Sequence, residues 1–191
     1  MLVIISGASG SGKDTIKRKL MESDSKYAHI PSYTTRKKRA GEIDGIDYNF
    51  VTKEEFRRLI SEDALYEHNI YNENFYGTPK KLFKEAIEKG KIILSDVDVN
   101  GKENLIRLLG NDMKIVTIFL KVPKEVLSKR LLERGERPSI EDINKRLSRL
   151  DYEEGRSSTY DYVIKNNDID KSVNLISAII EEEEKLSDTE F

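Results

Sequence analysis

The stretch "LVIISGASGSGKDT", residues 2 to 15, constrains this chain more than any other. It joins an apolar run to a glycine-rich loop and then to an amphipathic segment from Lys13 to Leu20. That order is a buried strand delivering the backbone into a loop and a helix. The glycines let successive backbone N–H groups turn inward, and the helix N-terminus behind them adds partial positive charge. Gly7, Ala8, Ser9, Gly10, Ser11, Gly12, Lys13, Asp14 and Thr15 are therefore candidates for cradling nucleotide phosphates, with Lys13 reaching the phosphate that moves.

Asp14 departs from the G-x-x-x-x-G-K-[ST] pattern, which asks for a hydroxyl at that position to ligate Mg²⁺. A carboxylate is also a hard oxygen donor and can bind the same ion, directly or through water. It adds negative charge near the phosphates, so it is best tolerated with the metal present. The Thr15 hydroxyl is turned about 100° away around the helix. Asp14 is thus a candidate metal ligand, and Asp96, at the end of the later strand "KIILSDV", is a second.

With 191 residues the chain can bury one substantial core. Lys and Arg number 33 against 35 Asp and Glu, a formal charge of −2, which gives no general attraction to nucleic acid or membrane. The absence of cysteine excludes disulfides, thiolate metal sites and thiol catalysis. No segment has the length of a membrane span and the N-terminus lacks the basic start of a signal peptide, so a cytoplasmic location is expected.

Residues 91–97, 114–122 and 161–165 read as further buried strands, with helical segments between them. Thr52 and Glu55 form a capping box, Pro79 falls in a first helical turn and Gly90 ends that helix. Pro123 and Ser139 open two more helices, and a last one starts near Lys171. The alternation predicts an α/β fold, a parallel sheet flanked by helices. Residues 32–78 break the rhythm with short alternating runs rich in Tyr, Thr and Gly, and read as an inserted β-rich subdomain.

Within "SYTTRKKRAGEIDGIDYNF" (32–50), Arg36 and Arg39 lie three apart and can converge on one phosphate with forked hydrogen bonds. Taken alone, the same cluster is more readily a solvated charge run or a short nucleic-acid patch.

The stretch closely resembles the guanylate kinase family: serine, T-T-R, a second arginine three residues on, then A-G-E, G, D and Y-N-F. "YEHNIYNENFYGTP", "ILSDVDVNG", "KRLLERG", "INKRL" and "VIKNND" match further segments of that family in the same order, over essentially the whole chain. The resemblance implies a P-loop kinase with a core of about 1–31, 79–122 and 156–187, a GMP-binding subdomain of about 32–78 and a helical lid of about 123–155. It implies that Ser32, Arg36, Arg39, Tyr48 and Tyr76 hold the GMP phosphate, while Glu67, Thr78 and Asp98 read guanine. For Tyr48 and Tyr76, packing of two large amphipathic rings is the alternative. A carboxylate suits guanine, whose N1–H and exocyclic amine it can accept together, a pairing adenine cannot offer.

The same resemblance promotes Arg130, Arg134 and Arg146 to lid clamps, catalytic together with Lys13, and gives Asn166 a contact with adenine. His68 receives no role. The implied reaction is Mg²⁺-dependent phosphoryl transfer from ATP to GMP, by a monomer or homodimer that binds neither nucleic acid nor membrane. Two alternatives compete: a ribose 1,5-bisphosphate phosphokinase, whose related loop also reads G-K-D, and a non-catalytic guanylate-kinase-like binding module. The intact loop argues against the module, and the Tyr48, Glu67 and paired-arginine set argues for GMP.

Overall fold

Runs of Val and Ile with no polar alternation suit strands covered on both faces, and the computed structural model uses them so. It describes residues 1–8, 10–71, 73–123, 125–127 and 150–188. The strands are β1 (Leu2–Gly7), β2 (Tyr27–His29), β3 (Tyr33–Thr34), β4 (Asn49–Phe50), β5 (Leu65–Tyr71), β6 (Asn74–Pro79), β7 (Ile92–Ser95), β8 (Ile115–Lys121) and β9 (Tyr162–Lys165). The helices are α1 (Lys13–Ser23), α2 (Lys53–Ser61), α3 (Lys80–Glu88), α4 (Val99–Leu109) and α5 (Ile169–Asp188).

Among the described residues the larger sheet has the order β2-β7-β1-β8-β9, every neighbouring pair parallel. β1 lies at its centre, with Leu2, Val3, Ile4 and Ile5 at most 1% exposed. Successive side chains of a strand point to opposite faces, and β1 divides accordingly. Val3 and Ile5 join Ile16 and Leu20 of α1 and Ile176 and Ile180 of α5. Leu2 and Ile4 join Phe83 of α3 and Leu105 and Leu109 of α4. The strand that feeds the glycine loop is therefore clamped by a core on each side, and the loop inherits that rigidity.

The inserted segment forms a second sheet in the order β4-β3-β6-β5, built on the antiparallel β5–β6 hairpin. Helix α2 covers it: Phe56 is fully buried and stacks on Phe75 with ring centroids 5.3 Å apart. The capping box forms as read, Glu55 N–H donating to Thr52 Oγ1 at 3.1 Å and Thr52 N–H to Glu55 Oε2 at 2.8 Å.

The structure departs from the sequence reading at several points. Pro79 closes β6 and stands just before α3 rather than inside its first turn. Helix α5 starts at Ile169, two residues before Lys171, with the Asp168 carboxylate accepting from Lys171 N–H at 3.1 Å. The edge strand β2 was not foreseen, since three residues offer no periodicity to read. The two helices opened by Pro123 and Ser139 fall largely outside the described residues, as does most of the lid. Among the described residues no helix is long and apolar enough to cross a membrane.

Candidate active site

The glycine loop is fixed by what surrounds it. A Cβ on Gly7 (φ +147°) would stand 2.6 Å from Leu120 O, and one on Gly12 (φ +95°) 2.9 Å from Asn166 Nδ2 and Ile169 Cδ1. Only glycine fits at either point, in conformation or in space. Lys13 folds back over the loop, its ammonium donating to Gly7 O at 2.6 Å and Ala8 O at 3.2 Å. Ser11 Oγ is buried and makes no hydrogen bond among the described residues.

Asn166, expected to contact adenine, does different work here. It is fully buried, donates from Nδ2 to Ser11 O at 2.6 Å, and accepts at Oδ1 from Ser172 Oγ at 2.9 Å. Both ends of its amide are engaged inside the protein, so it braces the loop from behind rather than presenting itself to a base.

A cavity of about 170 Å³ opens between the two sheets. Six of the expected residues line it: Ser32, Tyr48, Glu67, Tyr76, Asp96 and Asp98. At one end, Thr78 Oγ1 donates to Glu67 Oε1 at 2.7 Å. Burial, and then the nearby Asp98, push the Glu67 carboxyl above its ordinary range, with the Thr78 hydrogen bond opposing them. Asp98 caps α4 by accepting from Gly101 N–H at 2.8 Å while still facing the cavity. Burial, followed by the charges of Asp96 and Asp14, holds the Tyr48 phenol far above its usual range, so it remains a donor.

The basic cluster is organised around Glu42, through the Arg36 guanidinium and the Arg39 backbone rather than through two converging guanidinium groups. Arg36 makes a forked pair with that carboxylate, Nη2 to Oε1 at 2.7 Å and Nη1 to Oε2 at 3.1 Å, and the Arg39 backbone N–H adds a third donor at 2.7 Å. Arg36 also lies over Tyr48 and Phe50, at 5.3 and 5.7 Å from their ring centroids. These contacts fix the guanidinium plane at the edge of the subdomain. The Arg39 side chain is exposed.

Asp96 is largely buried and paired with Lys17 of α1. Burial works against its charge, but Lys17, His29 and Lys13 outweigh it and hold the carboxyl below its ordinary range. Asp14, in the first turn of α1, is exposed. Desolvation, then the neighbouring Asp96, raise its carboxyl, and Lys17 and Lys13 pull the other way. Two adjacent carboxylates that repel each other beside a phosphate loop fit a hard divalent cation, which takes one or two protein oxygens and completes its shell with phosphate and water. Among the described residues no group of three or more such ligands occurs.

The sequence reading missed Glu42, Asn69 and Glu153. Glu42 was visible as the acid of the A-G-E match beside a basic run, with no role attached to it. Asn69 lies two residues from Glu67 on β5, where strand alternation could have placed it on the same face, and it lines the cavity with an Oδ1 that has no partner among the described residues. Glu153, 8% exposed, reaches the cavity from the helical segment 150–155. Ser9, Arg130, Arg134 and Arg146 lie outside the described residues.

A central parallel strand that delivers a glycine loop into a helix, with a second sheet beside it and an acidic and tyrosine-lined cavity, is the architecture of a P-loop phosphotransferase. Comparison with known proteins narrows the class. The guanylate kinase family model matches residues 1–183. The guanylate kinase of Wolbachia sp. subsp. Brugia malayi is 39% identical over 184 residues, covering 96% of this chain and 93% of the relative. That of Chlorobaculum tepidum is 38% identical over 182 residues, covering 95% and 92%. A crystal structure of guanylate kinase from Anaplasma phagocytophilum superposes with a TM-score of 0.78 at 33% identity, covering 96% of this chain and 85% of that one. The chain belongs to the guanylate kinase family.

Proposed function

We propose that the protein is a guanylate kinase, transferring the terminal phosphoryl group of ATP to GMP to give ADP and GDP. The observation that carries this reading is one cavity bordered both by candidate base-reading carboxylates and by Asp96, the neighbour of the phosphate loop's Asp14. Glu67, Asp98 and Asp96 all border it. Glu67, aligned by Thr78, would accept from guanine N1–H and the exocyclic amine. Adenine offers no such pair of donors, so a site with this buried polar group would reject it strongly.

Arg36, Arg39, Ser32, Tyr48 and Tyr76 would receive the GMP phosphate. That phosphate needs no general base, because a monoester with a second pKa of about 6 is already a nucleophile at neutral pH. The protein's task is then alignment and charge neutralisation. Lys13 would leave the Gly7 and Ala8 carbonyls for the migrating phosphoryl group, and Arg130, Arg134 and Arg146 would close over it. Asp14 and Asp96 would hold Mg²⁺, which supplies charge neutralisation on the phosphate oxygens. With freely diffusing nucleotides as substrates, the protein would act in the cytoplasm.

A coupled ADP-release assay with ATP and Mg²⁺ tests the reading by comparing GMP, AMP, UMP and ribose 1,5-bisphosphate. Turnover with GMP alone is expected. Release with the sugar bisphosphate and none with GMP would make Asp14 the better guide to the substrate. Silence with all four, in a protein that still binds ATP, would favour a binding module.

A further inference from the structure

Lys17 has no part in the reading above, yet its ammonium stands inside the candidate metal site. It lies one turn beyond Lys13 on α1. Where Lys13 turns back to the loop carbonyls, Lys17 crosses to β7 and contacts Asp96 Oδ1. Both side chains of this pair are 12% exposed. Asp14, three residues earlier on the same helix, shares that face, and Asp96 lies close enough for a hydrogen bond between the two carboxyl groups. His29 of β2 closes the far side, its Nε2 3.5 Å from Lys17 Nζ and its Nδ1 3.4 Å from Leu94 O.

The charge balance of this corner is unusual for a site that must accept a divalent ion. Two carboxylates meet there, and a tethered ammonium already answers the more buried one. Removing one partner of such a pair leaves an uncompensated charge in a poorly solvated place. A divalent cation approaching Asp96 must therefore displace Lys17 or share the carboxylate with it. A tethered competitor is present at a fixed, high local concentration, whatever the solution holds.

We propose that Lys17 is the built-in counter-cation of the metal site, holding Asp14 and Asp96 together while no divalent ion is bound and competing with that ion for Asp96. It is a positioning residue, since it acts through the carboxylates. The inference rests on Asp14 and Asp96 being the metal-holding pair, and it is independent of which acceptor the enzyme phosphorylates. Its consequence is that the free protein binds divalent cations weakly. The metal gains its hold when nucleotide phosphates arrive and add ligands of their own.

The test is Mn²⁺ binding to nucleotide-free protein, read from the paramagnetic resonance signal of the free ion. Lys17→Met keeps the apolar stem and removes the charge, and should bind Mn²⁺ about tenfold more tightly, the effect of roughly 1.4 kcal/mol of relieved competition. Its thermal midpoint should also rise more on adding Mg²⁺ than that of the wild type. Lys17→Arg, which keeps the charge, should track the wild type. Equal or weaker Mn²⁺ binding by Lys17→Met would overturn the proposal. Asp96→Asn should abolish the gain, and a gain that survives it would overturn the premise that the metal is held here. Should Lys17→Met not fold, wild-type protein labelled at the lysine Cε carbons gives an independent readout. The Lys17 resonance, assigned through Lys17→Arg, should shift on Mg²⁺ saturation, and its indifference would equally defeat the idea.

Discussion

Across the β5–β6 hairpin, Thr78 donates its hydroxyl to Glu67 Oε1 at 2.7 Å, and Glu67 lines the cavity. The hydrogen bond leaves the other carboxylate oxygen free to turn toward a ligand, and it fixes the plane in which a base must lie. Replacing Glu67 by Ala should raise the KM for GMP by about 100-fold, the loss of two hydrogen bonds to a charged group at roughly 1.5 kcal/mol each. The KM for ATP should stay within about twofold, a difference of roughly 0.4 kcal/mol. Steady-state kinetics with each substrate varied would check this, and equal losses for both would remove Glu67 from the base pocket.

The same carboxylate makes a pH prediction. Its pKa is raised in the folded protein, chiefly by burial and then by Asp98. The folded state therefore binds a proton more tightly than the unfolded chain, and stability falls as pH rises from the unfolded value through the folded one. At neutral pH the ionised group is a net cost, so Glu67→Gln should melt at a higher temperature than wild type while binding GMP poorly. Conversely, kcat/KM for GMP should fall on acidification at a pH above that of an ordinary glutamate. A melting comparison at pH 7 showing Glu67→Gln less stable would contradict the burial argument.

Glu42 offers a test of how Arg36 is held. Its carboxylate fixes one edge of the guanidinium while Tyr48 and Phe50 support the plane. Glu42→Gln keeps the size and loses the charge, so Arg36 should wander. The KM for GMP should rise roughly tenfold, about 1.4 kcal/mol, with a smaller change in kcat. Unaltered GMP affinity would show that Arg36 is oriented by the rings alone.

Asn166 predicts a coupling between stability and nucleotide binding. Its amide joins Ser11 of the loop to Ser172 of α5. Asn166→Ala leaves a buried carbonyl and hydroxyl short of partners, at a cost of about 2–4 kcal/mol. Urea unfolding should show that loss, and the KM for ATP should rise because the loop is no longer braced. A stable variant with a selective defect in adenine recognition would restore the contact that the family resemblance implied.

What the sequence disclosed and what it concealed divide along a physical line. Strands β1, β7 and β8 were legible because burial on both faces demands unbroken Val and Ile runs, whereas β9, read as buried, is an edge strand in which only Ile164 is buried and Val163 is 48% exposed. The loop was legible because Gly7 and Gly12 stand where no side chain fits. The short edge strand β2 left no pattern. Asn166 could be matched to a family position, but its distance from Ser11, 155 residues away in the chain, is set only by the packed fold. Lys17 looked like one more charge on an amphipathic helix. Its meaning depends on Asp96, 79 residues on, being brought opposite by the pairing of β7 with β1.

Asp14 is the residue on which the loop's departure from its pattern turns, and Asp14→Ser restores the usual hydroxyl. The variant removes a negative charge from beside Asp96, so the repulsion between the two carboxylates disappears and Lys17 answers Asp96 alone. The nucleotide-free protein should become slightly more stable, and its thermal midpoint should respond less to added Mg²⁺. Phosphoryl transfer should persist, because a hydroxyl oxygen is an adequate ligand when phosphates supply the rest. The Mg²⁺ concentration at half-maximal rate should rise several-fold, roughly the 1 kcal/mol that one fewer formal charge would forfeit in a partly solvated cleft. Titrating activity and thermal midpoint against Mg²⁺ for both proteins decides the matter. Superimposable curves would mean that Asp14 never approaches the metal, and its place beside Asp96 would then need a different explanation.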